Sequence, residues 1–125
     1  MAKVLVVEDN ELNMKLFHDL LSILNCEVVS SRTGVGAVDF CRKSEPDIIL
    51  MDIQLDGISG IDLIKEIKAD RFLKSIPLIA ISAYAMKHEE VKILQSGCDK
   101  YMQKPLSIDE FFSTIKHYLG RLEVE

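Results

Sequence analysis

The sequence predicts one α/β domain of the (βα)5 doubly wound class, a five-stranded parallel sheet with helices on both faces. Three runs are apolar without alternation, which is typical of strands covered on both faces: Val4–Val7, Ile48–Met51 and Leu78–Ile81. Segments with helical spacing separate the strand candidates, so that strand and helix alternate five times. The length of 125 residues is that of a single domain. We expect residues 1–121 to form it, followed by a flexible tail over 122–125.

Two further strand candidates are more polar and are expected at the edges of the sheet, Glu27–Ser30 and Lys100–Gln103. The three apolar strands are therefore expected to be central. Because crossovers between parallel strands are right-handed, the simplest strand order is 2-1-3-4-5.

The first helix shows the clearest apolar spacing. Asn10 is its candidate N-cap. The stripe expected to face the core consists of leucines at four-residue intervals, widened by two neighbours: Leu12, Leu16, Leu20 and Leu24, with Phe17 and Leu21.

The other four helices are shorter or less regular. The second is expected over Val35–Lys43. The remaining three are marked by apolar residues at helical spacing. The third contains Ile61, Ile64 and Ile67 after Gly60, and the weaker fourth contains Val91 and Leu94. The fifth contains Phe111, Ile115 and Leu119. A capping box at Ser107–Glu110 is expected to open the fifth.

Composition excludes several classes of function. Twenty Asp and Glu against fifteen Lys and Arg give a net charge of -5, the wrong sign for binding nucleic acid. No apolar run approaches the ~20 residues that span a bilayer, and the N-terminus lacks a signal-peptide layout; both predict a cytoplasmic protein without membrane insertion. Cys26, Cys41 and Cys98 are far apart and are interpreted as reduced, mostly buried thiols.

Acidic residues follow two strands at the point where the winding of the sheet reverses. In open α/β sheets the functional crevice lies beyond the carboxyl ends of the strands at this point. Glu8 and Asp9 follow the first strand, and Asp52 follows the third. Two carboxylates 4 Å apart repel by ~4 kcal/mol at an effective dielectric constant of 20. The sequence therefore predicts a cation here, and oxygen ligands favour Mg²⁺ over zinc.

Two more polar residues end the neighbouring strands. Lys104, before Pro105, is expected to aim a positive charge into the crevice, and Ser82 supplies a hydroxyl. Each residue alone has an ordinary structural interpretation as a solvated cap or turn residue. Their joint occurrence at four adjacent strand ends predicts metal-assisted phosphate chemistry.

These residues and their surroundings resemble the receiver domain of bacterial two-component response regulators, the CheY-like fold, from Lys3 to Leu119. The motifs that carry the resemblance are LVVEDN at Leu5–Asn10, ILMDIQL at Ile49–Leu55, Gly60, Ile81–Ala83 and Lys104–Pro105. Two segments, Glu8–Leu21 and Ala83–Lys87, resemble more closely the single-domain cell-cycle regulators of this family.

The resemblance implies a site and its chemistry. Asp52 would be the phosphoacceptor that attacks a phosphohistidine on a partner. Glu8, Asp9, Asp52 and the backbone carbonyl of Gln54 would hold Mg²⁺, with Mn²⁺ able to substitute. Lys104 would pair with the phosphoryl oxygens. The domain would catalyse only its own phosphorylation and dephosphorylation.

The resemblance also implies a switch. Ser82 and the backbone N–H of Ala83 would move toward the phosphoryl group, Tyr101 would swing inward, and Pro105 would follow a cis peptide bond. The partners would be a histidine kinase or histidine phosphotransfer protein and downstream protein targets, in a phosphorelay or in kinase control. The protein would be a monomer that can dimerise on activation. Asp56 departs from the proline usual in receivers.

Some residues have weaker functional interpretations. Met14 and Phe17 are candidates for a docking surface, although core packing explains Phe17 equally well. Met86–Glu90, Tyr101 and the exposed side of the last helix are the family's usual output surface. No ligand or base is expected among His18, His88 and His117.

Other functions fit the sequence less well. A flavodoxin-type nucleotide binder needs a loop of free N–H groups after the first strand, where Glu8 and Asp9 would repel phosphate. A phosphatase of the haloacid dehalogenase type needs a second acid where Gln54 stands. The remaining alternatives are a receiver-like module that binds partners without phosphorylation, and a receiver belonging to a hybrid kinase or multi-receiver protein.

Overall fold

A computed structural model describes residues 1–55, 57–83 and 87–124, with side chains described as far as residue 120. Asp56 and Met86, singled out from the sequence, lie outside the described residues, as does Tyr84 in the segment similar to single-domain regulators. The last helix ends at Val124, beyond the predicted end of the domain at residue 121. The bounds of 1–121 stay a prediction.

Five parallel strands form the main sheet, in the predicted order. In chain order the strands are β1 (Lys3–Val7), β2 (Glu27–Ser31), β3 (Ile48–Asp52), β4 (Gln54–Leu55), β5 (Ile58–Ser59), β6 (Leu78–Ser82) and β7 (Lys100–Gln103). The sheet order is β2-β1-β3-β6-β7, which confirms the prediction of 2-1-3-4-5. The sequence did not predict β4 and β5, which form a short antiparallel hairpin directly after β3.

Five helices cover the sheet from both sides. They are α1 (Glu11–Ile23), α2 (Ala37–Ser44), α3 (Gly60–Ala69), α4 (Lys87–Gln95) and α5 (Ile108–Val124). Alternate residues of β1 enter opposite cores. Val4 and Val6 pack with α1 and α5, whereas Leu5 and Val7 pack with α2, α3 and α4. Burial on both faces explains why the central strands are apolar without alternation.

The core-facing stripe of α1 differs from the prediction. Leu12 and Leu16 are 79% and 41% exposed, and the buried residues of the helix are Met14, Phe17, Leu20 and Leu21. A row at strict four-residue spacing drifts by about 40° per step around a helix with 3.6 residues per turn. The ring of Phe17 stacks on Phe111 of α5, 5.9 Å between centroids, which turns the first two leucines outward. Met14 and Phe17 are therefore core residues. The docking-surface hypothesis for this pair was wrong, and the alternative of core packing for Phe17 is confirmed.

The predicted fourth helix is present, but its buried residue is neither of the two that marked it. Ile93 is fully buried in the core, whereas Val91 and Leu94 are half exposed. At 100° per residue, Val91 and Leu94 lie about 160° and 100° around the helix from Ile93. Burial of Ile93 therefore turns both of them toward solvent.

The other helix predictions are close. Asn10 caps α1 by accepting the N–H of Asn13 at 3.0 Å. Helix α2 begins two residues later than predicted, after Gly36, whose φ of 75° lies in the left-handed region. Ser107 accepts the N–H of Glu110 at 3.2 Å and opens α5 as predicted. In the described part of the chain, no helix has the length and apolarity to cross a membrane.

Helix α3 begins in direct contact with the backbone that follows β3. The N–H of Gly60 donates to the carbonyl of Ile53 at 3.2 Å. A Cβ at Gly60 would lie 2.6 Å from the Cα of Ile53 and 2.7 Å from the carbonyl oxygen of Asp52. Only glycine fits this approach without a shift of the backbone.

The cysteines are unpaired thiols, as predicted. Cys26 and Cys41 are buried, and Cys98 is half-buried. Burial raises the pKa of the Cys41 thiol to about 11, so that it stays protonated near neutral pH. These thiols are packing residues.

Candidate functional site

Three carboxylates converge at the predicted crevice. Strands β1 and β3 are neighbours, with Val7 opposite Met51, so that the residues following β1 lie beside Asp52 at the end of β3. One oxygen each of Glu8, Asp9 and Asp52 lies within 4.8 Å of the others. Glu8 and Asp52 are only 1% and 4% exposed, whereas Asp9 is exposed. The predicted convergence is therefore present.

Lys104 supplies the positive charge. Its Nζ donates to Asp52 Oδ2 at 3.0 Å and to Glu8 Oε1 at 3.3 Å. Its backbone N–H donates to the carbonyl of Ser82 at 2.8 Å, which fixes the end of β7 against the end of β6. The peptide bond to Pro105 is cis. Burial works against the charge of Lys104, but the hydrogen bonds and charges of the two acids outweigh it and raise its pKa.

The two buried acids have different proton affinities. Burial, then hydrogen bonding with Asp52 and the charge of that carboxylate, raise the pKa of Glu8 to about 7. Burial also acts to raise the pKa of Asp52, but hydrogen bonds with Glu8, the Gln54 N–H and Lys104 hold it below its ordinary value. Below about pH 7 the proton of the pair therefore resides on Glu8, and Asp52 is the ionised carboxylate that can act as a nucleophile.

Gln54 connects the Asp52 carboxylate to the loop after β6. Its N–H donates to Asp52 Oδ1 at 2.8 Å. Its side-chain Oε1 accepts the N–H of Ala83 at 3.2 Å. No signal in the sequence predicted this side-chain contact, because it depends on how far the two loops separate beyond the sheet.

The other predicted switch residues lie on the neighbouring strands. Ser82 ends β6 and is fully buried, one residue beyond Ile81, which is opposite Asp52 in the sheet. Tyr101 lies on β7 and packs, half-buried, against the core shared with α2, α3 and α4. Burial and the charge of Glu90 raise the pKa of Tyr101. The movements predicted for Ser82 and Tyr101 stay predictions.

The donor set fits Mg²⁺. All three side chains offer hard carboxylate oxygens, and the exposed position of Asp9 leaves one side open to water, of which Mg²⁺ usually keeps several. Among the described residues, no other group of three His, Cys, Asp or Glu side chains meets at one point. The three histidines are not members of this group, and the interpretation that none of them is a ligand or a base stays a prediction.

The raised pKa of Glu8 predicts an unusual pH dependence of stability without metal. Because its pKa rises from 4.5 to about 7 on folding, its favourable contribution is fully present below pH 4.5 and is lost as the pH rises through 7. Glu8→Gln stays neutral, so that at pH 8 with a chelator it should be more stable than wild type by roughly 1–3 kcal/mol. The difference should fall to about 1 kcal/mol or less near pH 5. Urea unfolding at both pH values measures it.

The exposed Glu66 on α3 offers the matched control. Glu66→Gln removes the same charge from the surface and should change the free energy of unfolding little at either pH. A Glu8→Gln variant less stable than wild type at pH 8 would contradict the expected sign.

Comparison with known proteins identifies the class to which this fold and site belong. Residues 4–116 match the response regulator receiver domain family. The chain therefore belongs to that family, whose members are phosphoryl acceptors in two-component signalling, and the resemblance drawn from the sequence is confirmed. The family match also agrees with the rejection, from the sequence, of a flavodoxin-type nucleotide binder and a dehalogenase-type phosphatase.

Curated proteins similar to this chain include response regulators of polar differentiation. The polar-differentiation response regulators DivK of Brucella ovis and Brucella anthropi are each 50% identical to this chain over 117 residues, 94% of this chain and 95% of theirs. The chain is thus a DivK-like response regulator, as its segment Glu8–Leu21 suggested.

Solved structures share the fold. The receiver domain of the sensor histidine kinase PA1611 from Pseudomonas aeruginosa, with magnesium coordinated in its active-site cleft, has a TM-score of 0.87 at 29% identity, covering 95% of this chain and 98% of that one. The receiver domain of a histidine kinase from Syntrophus aciditrophicus has a TM-score of 0.89 at 25% identity, covering 96% and 91%.

Proposed function

We propose that Asp52 accepts a phosphoryl group from a phosphohistidine of a histidine kinase or phosphotransfer protein, with Mg²⁺ or Mn²⁺, and that the phosphorylated protein signals by binding other proteins. The observation that carries this assignment is the environment of Asp52. It is a buried, ionised carboxylate between the Lys104 ammonium and the Gln54 N–H, beside two further acids.

The transfer needs only two reactants, the phosphohistidine and the Asp52 carboxylate. A carboxylate oxygen of Asp52 attacks phosphorus, and an O–P bond forms as the P–N bond of the phosphoimidazole breaks. The histidine nitrogen keeps the bonding electron pair. In dephosphorylation, water attacks the same phosphorus and the O–P bond to Asp52 breaks. Inorganic phosphate leaves and the carboxylate is restored. The domain's own residues catalyse both steps.

Each neighbour of Asp52 has a role in this chemistry. Lys104, at 3.0 Å from Oδ2, is placed to pair with the negative phosphoryl oxygens. Glu8, Asp9, Asp52 and the carbonyl of Gln54 would hold the metal ion, which when bound neutralises charge on the transferring group. Glu8, whose pKa without metal is about 7, would release its proton on binding a cation.

Incubation with acetyl phosphate, with and without Mg²⁺, tests the proposal by intact mass. We expect one added phosphoryl group that requires the metal, and the same adduct with Mn²⁺. A folded protein that takes no phosphoryl group under any condition would contradict the proposal and favour the phosphorylation-independent binding module.

The signalling step requires a large difference in interaction between two states. Moving a population from 1:99 to 99:1 takes about 5.5 kcal/mol, more than one neutral hydrogen bond supplies. Lys104 is at Asp52 already without phosphate and contributes little to that difference. We therefore assign much of it to the Ser82 hydroxyl, the Ala83 N–H and the repacking of Tyr101, with Pro105 as a further switch residue.

Ser82→Ala separates phosphorylation from the response. The variant should still accept phosphate, because Ser82 is not the nucleophile. Loss of a hydrogen bond to a charged group, about 1.5–3 kcal/mol, should reduce the ratio of switched to unswitched phosphoprotein by roughly tenfold or more. The Tyr101 ring signals in NMR spectra before and after phosphorylation report that ratio. A wild-type response in the variant would refute the role of Ser82.

The biological setting follows from the relatives. We infer control of the cell cycle and of polar differentiation, the second as the name of the Brucella proteins indicates for them, rather than a receiver that works within a hybrid kinase. The protein would act in the cytoplasm, where histidine kinases draw phosphate from ATP. It would be a monomer at rest and could dimerise when phosphorylated, which analytical ultracentrifugation with and without acetyl phosphate would measure.

A further inference from the structure

The peptide unit between Ser82 and Ala83 is held at both ends. Its carbonyl, from Ser82, accepts the backbone N–H of Lys104 at 2.8 Å. Its N–H, from Ala83, donates to Gln54 Oε1 at 3.2 Å. In a trans peptide the C=O and the N–H lie in one plane and point in opposite directions. The two hydrogen bonds therefore hold this peptide unit from both sides.

Gln54 is tied to the nucleophile at the same time. Its N–H donates to Asp52 Oδ1, and the preceding N–H, of Ile53, donates to the carbonyl of Ile81 at 2.9 Å. The Gln54 side chain therefore bridges β3 and β6 beyond the last backbone hydrogen bond between them. It joins the site of phosphorylation to the first peptide of the loop that is expected to move.

A phosphoryl group on Asp52 would offer a stronger acceptor to this N–H. It carries close to two negative charges and three acceptor oxygens, and hydrogen bonds to charged acceptors are roughly twice as strong as those between neutral groups. The amide oxygen of Gln54 is neutral. If the Ala83 N–H can reach only one acceptor at a time, it would leave Gln54 Oε1 and donate to the phosphoryl oxygen.

We propose that the Gln54 side chain is a latch that holds the Ala83 N–H in the unphosphorylated protein and competes for it with the phosphoryl group. Gln54 is thus a positioning residue that stabilises the resting loop and sets how strongly phosphorylation must act to switch it. This inference rests on the proposed function, since it takes Asp52 as the phosphoacceptor.

The latch itself is tested without metal or phosphate. Gln54→Met keeps the length of the side chain and removes its strong acceptor. We expect the Ala83 amide to exchange with solvent about fivefold faster in the variant, as loss of one hydrogen bond allows. Amide exchange measured by NMR gives this rate. Gln95→Met, the same change at an exposed position at the end of α4, is the control and should leave the rate unchanged.

The competition is tested with beryllium fluoride, a phosphoryl mimic, together with Mg²⁺. Removal of the latch should tighten its binding about fivefold in Gln54→Met and leave it unchanged in Gln95→Met. Equal Ala83 exchange rates in wild type and Gln54→Met would overturn the latch. Faster exchange with unchanged beryllium fluoride affinity would overturn the competition. A third outcome is that Ala83 exchanges faster in Gln54→Met but the wild type binds no beryllium fluoride. That result would overturn the competition because the proposed function itself had failed.

Discussion

Asp52→Asn should abolish formation of the phosphoryl adduct. The carboxamide has no negative charge and its nitrogen is a poor nucleophile, so that acetyl phosphate with Mg²⁺ should leave the mass of the variant unchanged. The fold should persist, because an amide oxygen can still accept the Gln54 N–H that now reaches Oδ1 at 2.8 Å. Intact-mass analysis over the period in which the wild type is fully modified measures the effect.

A surface aspartate provides the control for Asp52→Asn. Asp19 on α1 is exposed and pairs with Lys15 at 3.6 Å, and it takes no part in the acidic group of the site. Asp19→Asn should take up phosphate as the wild type does. An adduct that survives in Asp52→Asn would show that another carboxylate accepts the group, and peptide mapping would identify it.

Gly60→Ala should lower the free energy of unfolding by about 3 kcal/mol. The new Cβ would lie 2.6 Å from the Cα of Ile53 and 2.7 Å from the carbonyl oxygen of Asp52. Both are backbone atoms and cannot rotate away as a flexible side chain does. Either α3 moves off the sheet or the segment after the nucleophile shifts. Urea unfolding gives the free energy, and Mg²⁺ titration reports the effect on the site.

The same substitution elsewhere in the chain should have the opposite sign. A Cβ at Gly120 in α5 would meet nothing within 4 Å. Gly120→Ala should therefore stabilise the protein by roughly 0.5–1 kcal/mol, through higher helix propensity. Equal effects of the two substitutions would show that the contact at Gly60 is not the cause.

The central sheet and the acids of the site were predictable because their signals are local. An unbroken apolar run such as Val4–Val7 indicates burial on two faces without knowledge of what covers it. Parallel strands bring their carboxyl ends to one edge, so that Glu8, Asp9 and Asp52 were expected to meet before any distance was known. Lys104 followed from the same rule.

The features that the sequence did not predict depend on contacts between distant segments. The rotation of α1 is set by the contact of Phe17 with Phe111 of α5, at the other end of the chain. The four-residue spacing of the leucines alone favoured a different face. The β4–β5 hairpin is only two residues on each side, too short for a periodic signal. The reach of Gln54 to Ala83 depends on the gap between two loops, which composition does not encode.

The Lys104 ammonium between Asp52 and Glu8 is a tethered counter-ion. Since it is part of the chain, its local concentration at the acids is set by the fold and does not fall on dilution or chelation. Small domains that draw their folding energy from a bound metal collapse when it is removed. Here the buried acids keep a cation of their own, so that we expect the architecture to persist without a bound divalent ion.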